Sequence, residues 1–344
     1  MYLIRNVDPS DLNDLYELSG LVTFINLPKD IDLIKKKIAN SVRTFKKPDK
    51  DKSKNKYIFV LEDTELKKVI GVSMIHGQHG TDEEPHYYLT VGQEEKFSET
   101  INTGFIHGTL KLDYECNGYT EIGGLVLHPD YRSNISKLGK QISFVRFLYI
   151  GMNSNQFTPI IHSELMPPFD KDGNSPLWEA IGRKFMNVDY HEADVLSRQN
   201  KEFILSLFPS EIIYTSLLPI EARDAIGKVG DDTKLVKKML ESIGFKYTKE
   251  VDPFDGGPHY RAPKTEIKTI RDMFMFKTIV DASTTGSDLQ TFLITLPNDP
   301  GKFRAMKVDG KLEDHGDKKN LILSSDYSSV IDEFGEFLGH GIHL

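Results

Sequence analysis

The chain has 344 residues, 39% hydrophobic and 27% charged, with a formal net charge of -8. This composition describes a globular protein of about two domains, and the acidic excess argues against nonspecific nucleic-acid binding, which needs basic surface. No apolar run approaches the ~20 residues that span a bilayer, and a single cysteine, Cys116, excludes a disulfide framework and any multi-cysteine zinc site.

The first residues, "MYLIRNVDPSDLNDLYELS", lack the basic-then-apolar pattern of a signal peptide and read as folded protein in the cytoplasm. "MYLIRNV" alternates as a strand, and a helix follows with Asp8 or Ser10 as its N-cap. "IDLIKKKIANSVRTF" is an amphipathic helix with Ile34, Ile38, Val42 and Phe45 on one stripe. The basic run Lys46 to Lys56 reads as a solvated loop in preference to a phosphate patch, because Pro, Asp and Ser interrupt it. "KYIFVLED", "KKVIGVSMIHG", "HYYLTVGQ" and "TEIGGLVLHP" are strands, the last running into a helix. This order predicts an α/β (α+β) protein with a mixed, mostly antiparallel sheet flanked by helices.

From "TPIIHSELMPP" a strand leads to "SPLWEAIGRKF", a helix opened by Ser175 with Pro176 first. "NKEFILSLFP", "LPIEARDAIGKV" and "DDTKLVKKMLESIGF" are helical, the last ended by Gly244. The final seventy or so residues turn to short strands, "FKTIVDAS", "LQTFLITLP", "KFRAMKVDG" and "KNLILSS". A boundary near 275 therefore separates residues 1–275, with two lobes meeting near 155–200, from a small all-β region at 276–344.

"YIFVLED", "EIGGLVLHPDYR", "SPLWEAIGRKF", "ADVL", "AIGKV", "ESIGFKY" and "DPFDGGP" stand in the order and spacing of a known family. The chain resembles the bacterial arginine N-succinyltransferases, a branch of the GNAT-type acyl-CoA N-acyltransferases. The likeness covers residue 1 to about 275, and the C-terminal strands resemble the family's barrel-like region more loosely. It implies a GNAT-like fold and transfer of succinyl from succinyl-CoA to the α-amine of arginine or ornithine in amino-acid catabolism. A small amine acceptor, no nucleic acid, no membrane, and a homodimer or a heterodimer with a paralogue are the partners it implies.

On this resemblance Leu125, Val126 and Leu127 offer main-chain groups to the pantetheine arm, in the manner of strand addition. Arg132, Ser133, Asn134, Ile135, Ser136, Lys137, Leu138, Gly139 and Lys140 form the diphosphate loop and helix start, where the dipole favours an anion. The loop inserts about two residues relative to the family and keeps one glycine, Gly139, with Lys137 in place of another. Two further departures concern chemistry. The family's proton-donating histidine after "IG-x-V" is Gly230 here, and its Glu-Met-Arg-Gly is Glu164-Leu165-Met166-Pro167.

Acyl transfer to an amine needs a base and oxyanion donors. The candidates are Glu164, which is either a base or a salt-bridge partner, and His162 on the same strand face, which is either coupled to it or simply packed. Asp231, like Asp232, is either a replacement acid or a helix N-cap, with capping preferred. In "FDGGP", Phe254, Asp255, Gly256 and Gly257 form either a substrate-binding loop, with Asp255 facing a cation, or a hairpin turn. Trp178 reads as core. His76, His79 and His86, with Asp82, Glu83 and Glu84, read as a solvated loop, since no HExxH spacing exists, and no metal is expected. The missing histidine also admits a non-catalytic partner subunit or a changed acceptor.

Overall fold

The computed structural model describes residues 1–21, 27–197, 200–280, 289–314 and 319–344. The first strands are β1 (Tyr2–Asn6), β2 (Lys56–Asp63), β3 (Lys68–His79), β4 (His86–Ser98), β5 (Thr103–Glu115), β6 (Tyr119–Leu127) and β7 (Ile160–Glu164). They are followed by β8 (Ile213–Tyr214), β9 (Lys246–Val251), β10 (Pro258–Pro263), β11 (Phe274–Val280), β12 (Gln290–Thr295), β13 (Arg304–Asp314), β14 (Lys319–Leu323) and β15 (Leu338–His343). The main helices of the N-terminal half are α1 (Leu12–Ser19), α2 (Ile31–Lys46) and α3 (Leu138–Met152). The chain forms two compact units that interleave in sequence. Met1–Gln78, Thr120–Pro159 and Lys264–Leu344 make the first, and His79–Tyr119 and Ile160–Pro263 the second.

In the first unit, strand neighbours run β12-β15-β11-β14-β13-β1-β2-β3-β6, and an added β12–β13 pairing closes the first five into a barrel. β11 and β14 are parallel, whereas β1–β2, β2–β3, β1–β13, β12–β13 and β13–β14 are antiparallel. β2 explains its own central place: Tyr57 to Leu61 are all buried, the signature of a strand covered on both faces. Ile58 and Val60 join the core that holds Ile34 and Ile38 of α2, while Tyr57 and Phe59 pack their rings on Tyr149 of α3. α2 begins where the Asp30 carboxylate accepts the N–H groups of Asp32 and Leu33. α1 is preceded by a short turn, Pro9–Asp11, in which Asp8 and Asp11 cap each other. α3 is buried nearly all round, from Leu138 through Ile150, as a central helix must be. Residues 276–344 belong to this unit; they contain a helix, Ser328–Phe334, beside the strands, and the end of "FKTIVDAS" lies outside the described residues.

In the second unit the order is β7-β10-β9-β4-β5-β8. Its core gathers Tyr87, Leu89, Leu110, Val251 and Phe254 with helical residues Leu177, Trp178 and Ile204. Trp178 is buried, donating its Nε1 proton to the Val188 carbonyl at 2.9 Å. The helix expected over "SPLWEAIGRKF" is broken at Ile181 into Pro176–Ala180 and Gly182–Met186. A Cβ on Gly182 would lie 2.3 Å from the indole, so this glycine is what admits the tryptophan ring. β5, β9 and β10 have no counterpart in the sequence reading. β5 pairs along its length with β4, and Phe97, Ile101, Phe105 and Ile106 at the tip of that hairpin are exposed, which masks the usual inside–outside alternation.

Candidate functional site

In the first unit β6 delivers Leu125, Val126 and Leu127 to a loop that ends at α3. Val126 is buried in the core, so only its main chain is on offer. Arg132 turns back to donate from Nε to the Leu127 carbonyl at 3.2 Å. Ser133 and Lys137 adopt left-handed backbone, with φ of 58° and 53°. Asn134 accepts the Ser136 N–H at 2.8 Å on its side chain and the Lys137 N–H at 2.9 Å on its carbonyl. Ile135 is fully exposed. The helix begins at Leu138, with no side chain capping it. Lys140 and Gln141 bond back to the Lys137 carbonyl, while the N–H groups of Leu138 and Gly139 have no acceptor among the described residues. Burial, then the charge of Lys137, lowers the Lys140 ammonium below its ordinary value. These are the requirements of an anion site: free amides, a positive helix end and two crowded cations.

The same unit holds a cavity of about 40 Å³ whose walls include Lys37, Lys56, His76, Glu121 and Gly123. Arg146 of α3 reaches the Gly123 carbonyl at 3.4 Å and otherwise bonds Ser143, through its carbonyl at 2.9 Å and its hydroxyl at 2.8 Å. It is buried with no carboxylate partner among the described residues, and burial pulls its guanidinium down to about 9. No feature of the sequence marked Arg146, because it sits in an otherwise apolar helical run.

In the second unit His162 and Glu164 share a face of β7, and His162 Nε2 lies 3.2 Å from Glu164 Oε1. β10 runs antiparallel beside them with His259 opposite Glu164 and Arg261 opposite His162. Arg261 donates from Nε to His162 Nδ1 at 3.2 Å, bonds Glu250 of β9 and lies over the Tyr119 ring at 4.0 Å. His86, the first residue of β4, is buried, with Nδ1 3.6 Å from the same Glu164 oxygen. The three imidazoles form a triangle with centroid separations of 4.9, 5.1 and 4.9 Å. Burial holds His162 down to about 4 against the opposing pull of Glu164, and burial with the neighbouring histidines holds His86 well below its ordinary value. Burial raises Glu250, yet its contacts with His259 and Arg261 keep it below the usual carboxylate range.

The expectation of a solvated loop at His76, His79 and His86 is corrected here: the first two lie in β3, which His79 ends, and the third is buried on β4. Sequence reasoning missed His259 and Arg261. Their signal, alternation in "PHYRAP", is short and follows a double glycine.

Gly230 donates its N–H to the Met166 carbonyl at 2.8 Å, and a Cβ there would stand 2.8 Å from the Pro167 oxygen. The two departures from the family motifs are thus in contact, and no gap awaits a side chain at 230. Asp231 is exposed at the head of a short turn, Asp231–Thr233, and pairs with Lys234. It caps nothing with its side chain, since the cap positions are Gly230 and Thr233. "FDGGP" forms the turn between β9 and β10. Asp252 Oδ1 accepts the N–H groups of Phe254 and Asp255, Asp255 Oδ1 accepts that of Gly257, and Gly256 has φ of 79°. The Phe254 ring stacks on Trp178 at 4.9 Å. Burial, then the charge of Glu164, raises Asp252 to about 6, and burial, then the charge of Asp252, raises Asp255 well above its ordinary value.

Comparison with known proteins gives the family and the fold. A family profile described as "Arginine N-succinyltransferase beta subunit" matches residues 2–269. The arginine N-succinyltransferase of Yersinia enterocolitica is 34% identical over 318 residues, covering 91% of this chain and 90% of that one. The protein named arginine N-succinyltransferase subunit beta of Pseudomonas aeruginosa is 34% identical over 298 residues, covering 85% of each. Among solved structures, arginine/ornithine succinyltransferase subunit AI from Pseudomonas aeruginosa superposes with a TM-score of 0.84 at 22% identity, covering 100% of this chain and 98% of that chain.

Proposed function

This chain belongs to the arginine N-succinyltransferase family, and from that premise we propose that it moves the succinyl group of succinyl-CoA onto the α-amine of arginine or ornithine. As an acyltransferase it joins the amine nitrogen to the thioester carbonyl carbon and breaks the carbon–sulfur bond. One amine proton leaves to a base or to water, and the sulfur departs as thiolate or, once protonated, as thiol. The observation that carries the reading is the pair of unengaged amides, Leu138 and Gly139, at the start of a 15-residue helix directly after β6. They suit the diphosphate, and the main chain of Leu125 to Leu127 suits the pantetheine amides.

The carboxylate of the succinyl group needs a cation, and the family's arginine is Met166 here. Lys37 and Lys56, whose cavity includes Gly123, and Arg146, which reaches Gly123, are our candidates. Gly230 gives the proton no carrier, so we rest the rate on positioning, which supplies up to ~7–11 kcal/mol in well-oriented systems. The non-catalytic reading is the weaker one, since relatives 34% identical over most of the chain are named for the enzyme itself. A second chain is proposed as partner because the relatives' names include subunits, with the exposed apolar tip of the β4–β5 hairpin as contact surface.

The test is thiol release from succinyl-CoA and acetyl-CoA with arginine, ornithine and other amines. We expect arginine- or ornithine-dependent release with the succinyl thioester at least tenfold above acetyl. Release no faster than thioester hydrolysis for every amine would refute the proposal.

A further inference from the structure

We propose that His86, His162, His259 and Glu164 form a binding site for one first-row divalent metal ion, best suited to zinc. The four side chains bring one donor atom each within 4.8 Å of one another. This departs from the sequence reading, which expected no metal and placed His86 in a solvated loop.

The spacing fits a four-coordinate ion. With metal–ligand bonds of ~2.0–2.1 Å, neighbouring donors of a tetrahedral site lie ~3.3 Å apart, and the centroids of coordinating imidazoles ~5 Å apart. Here His162 Nε2 and His86 Nδ1 stand 3.2 and 3.6 Å from the same oxygen of Glu164. The three ring centroids are separated by 4.9, 5.1 and 4.9 Å. Three imidazoles and one carboxylate are ligands of the kind zinc takes, and lack the thiolates that would favour copper(I) or iron–sulfur clusters.

The polar accounting points the same way. All three histidines are buried. Neither ring nitrogen of His259, nor Nε2 of His86, has a hydrogen-bond partner among the described residues. Buried imidazole nitrogens left unbonded are costly, and an ion held by His86 Nδ1, His162 Nε2 and His259 Nε2 would satisfy the last of these. Glu250 lies 3.7 Å from His259 Nδ1, beyond hydrogen-bond length, and a small closure would let it accept that N–H and direct Nε2 to the ion. His162 exacts one change. Ligation through Nε2 moves its proton to Nδ1, facing the Nε–H of Arg261, so that contact must be released. The guanidinium keeps Glu250 and the Tyr119 face.

The ligands come from β4, β7 and β10, and the sheet order places β9 between β10 and β4. A bound ion would therefore cross-link three strands of the second unit. Four protein ligands leave no open position, so the role is structural, and Glu164 serves as a ligand in place of the base read from sequence.

The experiment uses the full chain stripped by dialysis against a chelator, with cobalt(II) chloride as optical probe and zinc chloride in competition with a chromophoric chelator. We expect one equivalent of cobalt with the intense visible bands of four-coordination, displaced by one equivalent of zinc, and a zinc-dependent rise in melting temperature. Glu164→Gln and His259→Ala should each weaken zinc at least ~100-fold, while His107→Ala, a half-buried residue outside the cluster, should not. The cobalt spectrum needs no variant, so a misfolded mutant cannot decide the matter. Absence of four-coordinate cobalt in the unmodified chain, or zinc uptake that survives the double change His86→Ala and His259→Ala, would overturn the proposal and leave a packed cluster of neutral histidines. None of these readouts depends on thiol release, so this inference and the acyl-transfer reading fail separately.

Discussion

Gly230 occupies the position at which the family motif carries histidine, and restoring that residue is an informative perturbation. A Cβ at 230 would lie 2.8 Å from the Pro167 carbonyl oxygen, whereas ordinary contact begins at 3.4 Å, so relief requires about 0.6 Å of separation. That movement pulls on two bonds to the Met166 carbonyl, from the Gly230 N–H and the Thr233 hydroxyl, each 2.8 Å long. Overpacking of this kind costs ~1–3 kcal/mol, and weakening a hydrogen bond adds ~0.5–1.5 kcal/mol. Gly230→His should therefore lower the melting temperature by roughly 3–18 °C, taking ~2–4 °C per kcal/mol for a unit of this size. Turnover, followed by thiol release, should not rise. Adding Pro167→Gly should recover at least half of the loss, because glycine frees both the carbonyl and the restricted residue before it. A single variant that melts within about 1 °C of the parent, or gains tenfold in kcat, would refute the claim that 166–167 seal this position.

Other substitutions probe the remaining features. Gly139→Ala meets only Leu127 Cδ2, at 3.9 Å, so in the free protein it should be neutral or add ~0.5–1 kcal/mol of helix stability. If the Gly139 amide faces diphosphate, the same change should raise KM for succinyl-CoA several-fold; an unchanged KM would place the nucleotide elsewhere. Arg146→Met removes a cation that burial holds at about 9 against an ordinary value of 12.5, a penalty of about 5 kcal/mol at 1.36 kcal/mol per tenfold. Its three hydrogen bonds offset part of that, so chemical denaturation should show stability unchanged or improved, with KM for the succinyl thioester raised; a loss above ~2 kcal/mol would show that the bonds outweigh desolvation. Arg5→Met breaks a guanidinium clamp on Asp11, at 2.7 and 2.8 Å, and Glu62, at 2.6 Å. Leaving those carboxylates unpaired should cost ~3 kcal/mol, and a loss below ~0.5 kcal/mol would mean that water replaces the arginine freely.

The sequence was most readable where one rule acts alone. β2 showed as "YIFVL" and α2 as an apolar stripe, because burial there is a local matter. The mostly antiparallel sheet with helices on its faces and the C-terminal barrel were both legible. The β4–β5 hairpin was half missed, because its tip exposes apolar residues and so breaks the pattern on which the reading depends. The interleaving of the units could not be read from periodicity, since it depends on which strands neighbour each other over long separations, such as β1 with β13. For the candidate site, the strand, loop and helix from Leu125 to Lys140 were visible in the local pattern, their assignment to a diphosphate came only from the family resemblance, and His162 and Glu164 were visible as neighbours on one strand face. His86 and His259 were not, because their approach to that pair is set by strand order and not by any local motif.

Gly230, Met166 and Pro167 are best understood as one change. An arginine at 166 and a histidine at 230 would have to share ground where the chain now closes backbone on backbone, with the Gly230 amide on the Met166 carbonyl. Gly257 shows the same closure from another side, because a Cβ there would lie 2.4 Å from the Leu165 carbonyl. Residues 165–167 are thus held by two glycines with no room for side chains between them. A protein that fills such a place with main-chain contacts has given up a titrating group there in exchange for rigidity. Its acyl transfer must then depend on how well the thioester and amine are held, so changes that loosen this junction should lower kcat more than they raise KM. Equal effects of Pro167→Gly on both constants would argue that rigidity here serves only the fold.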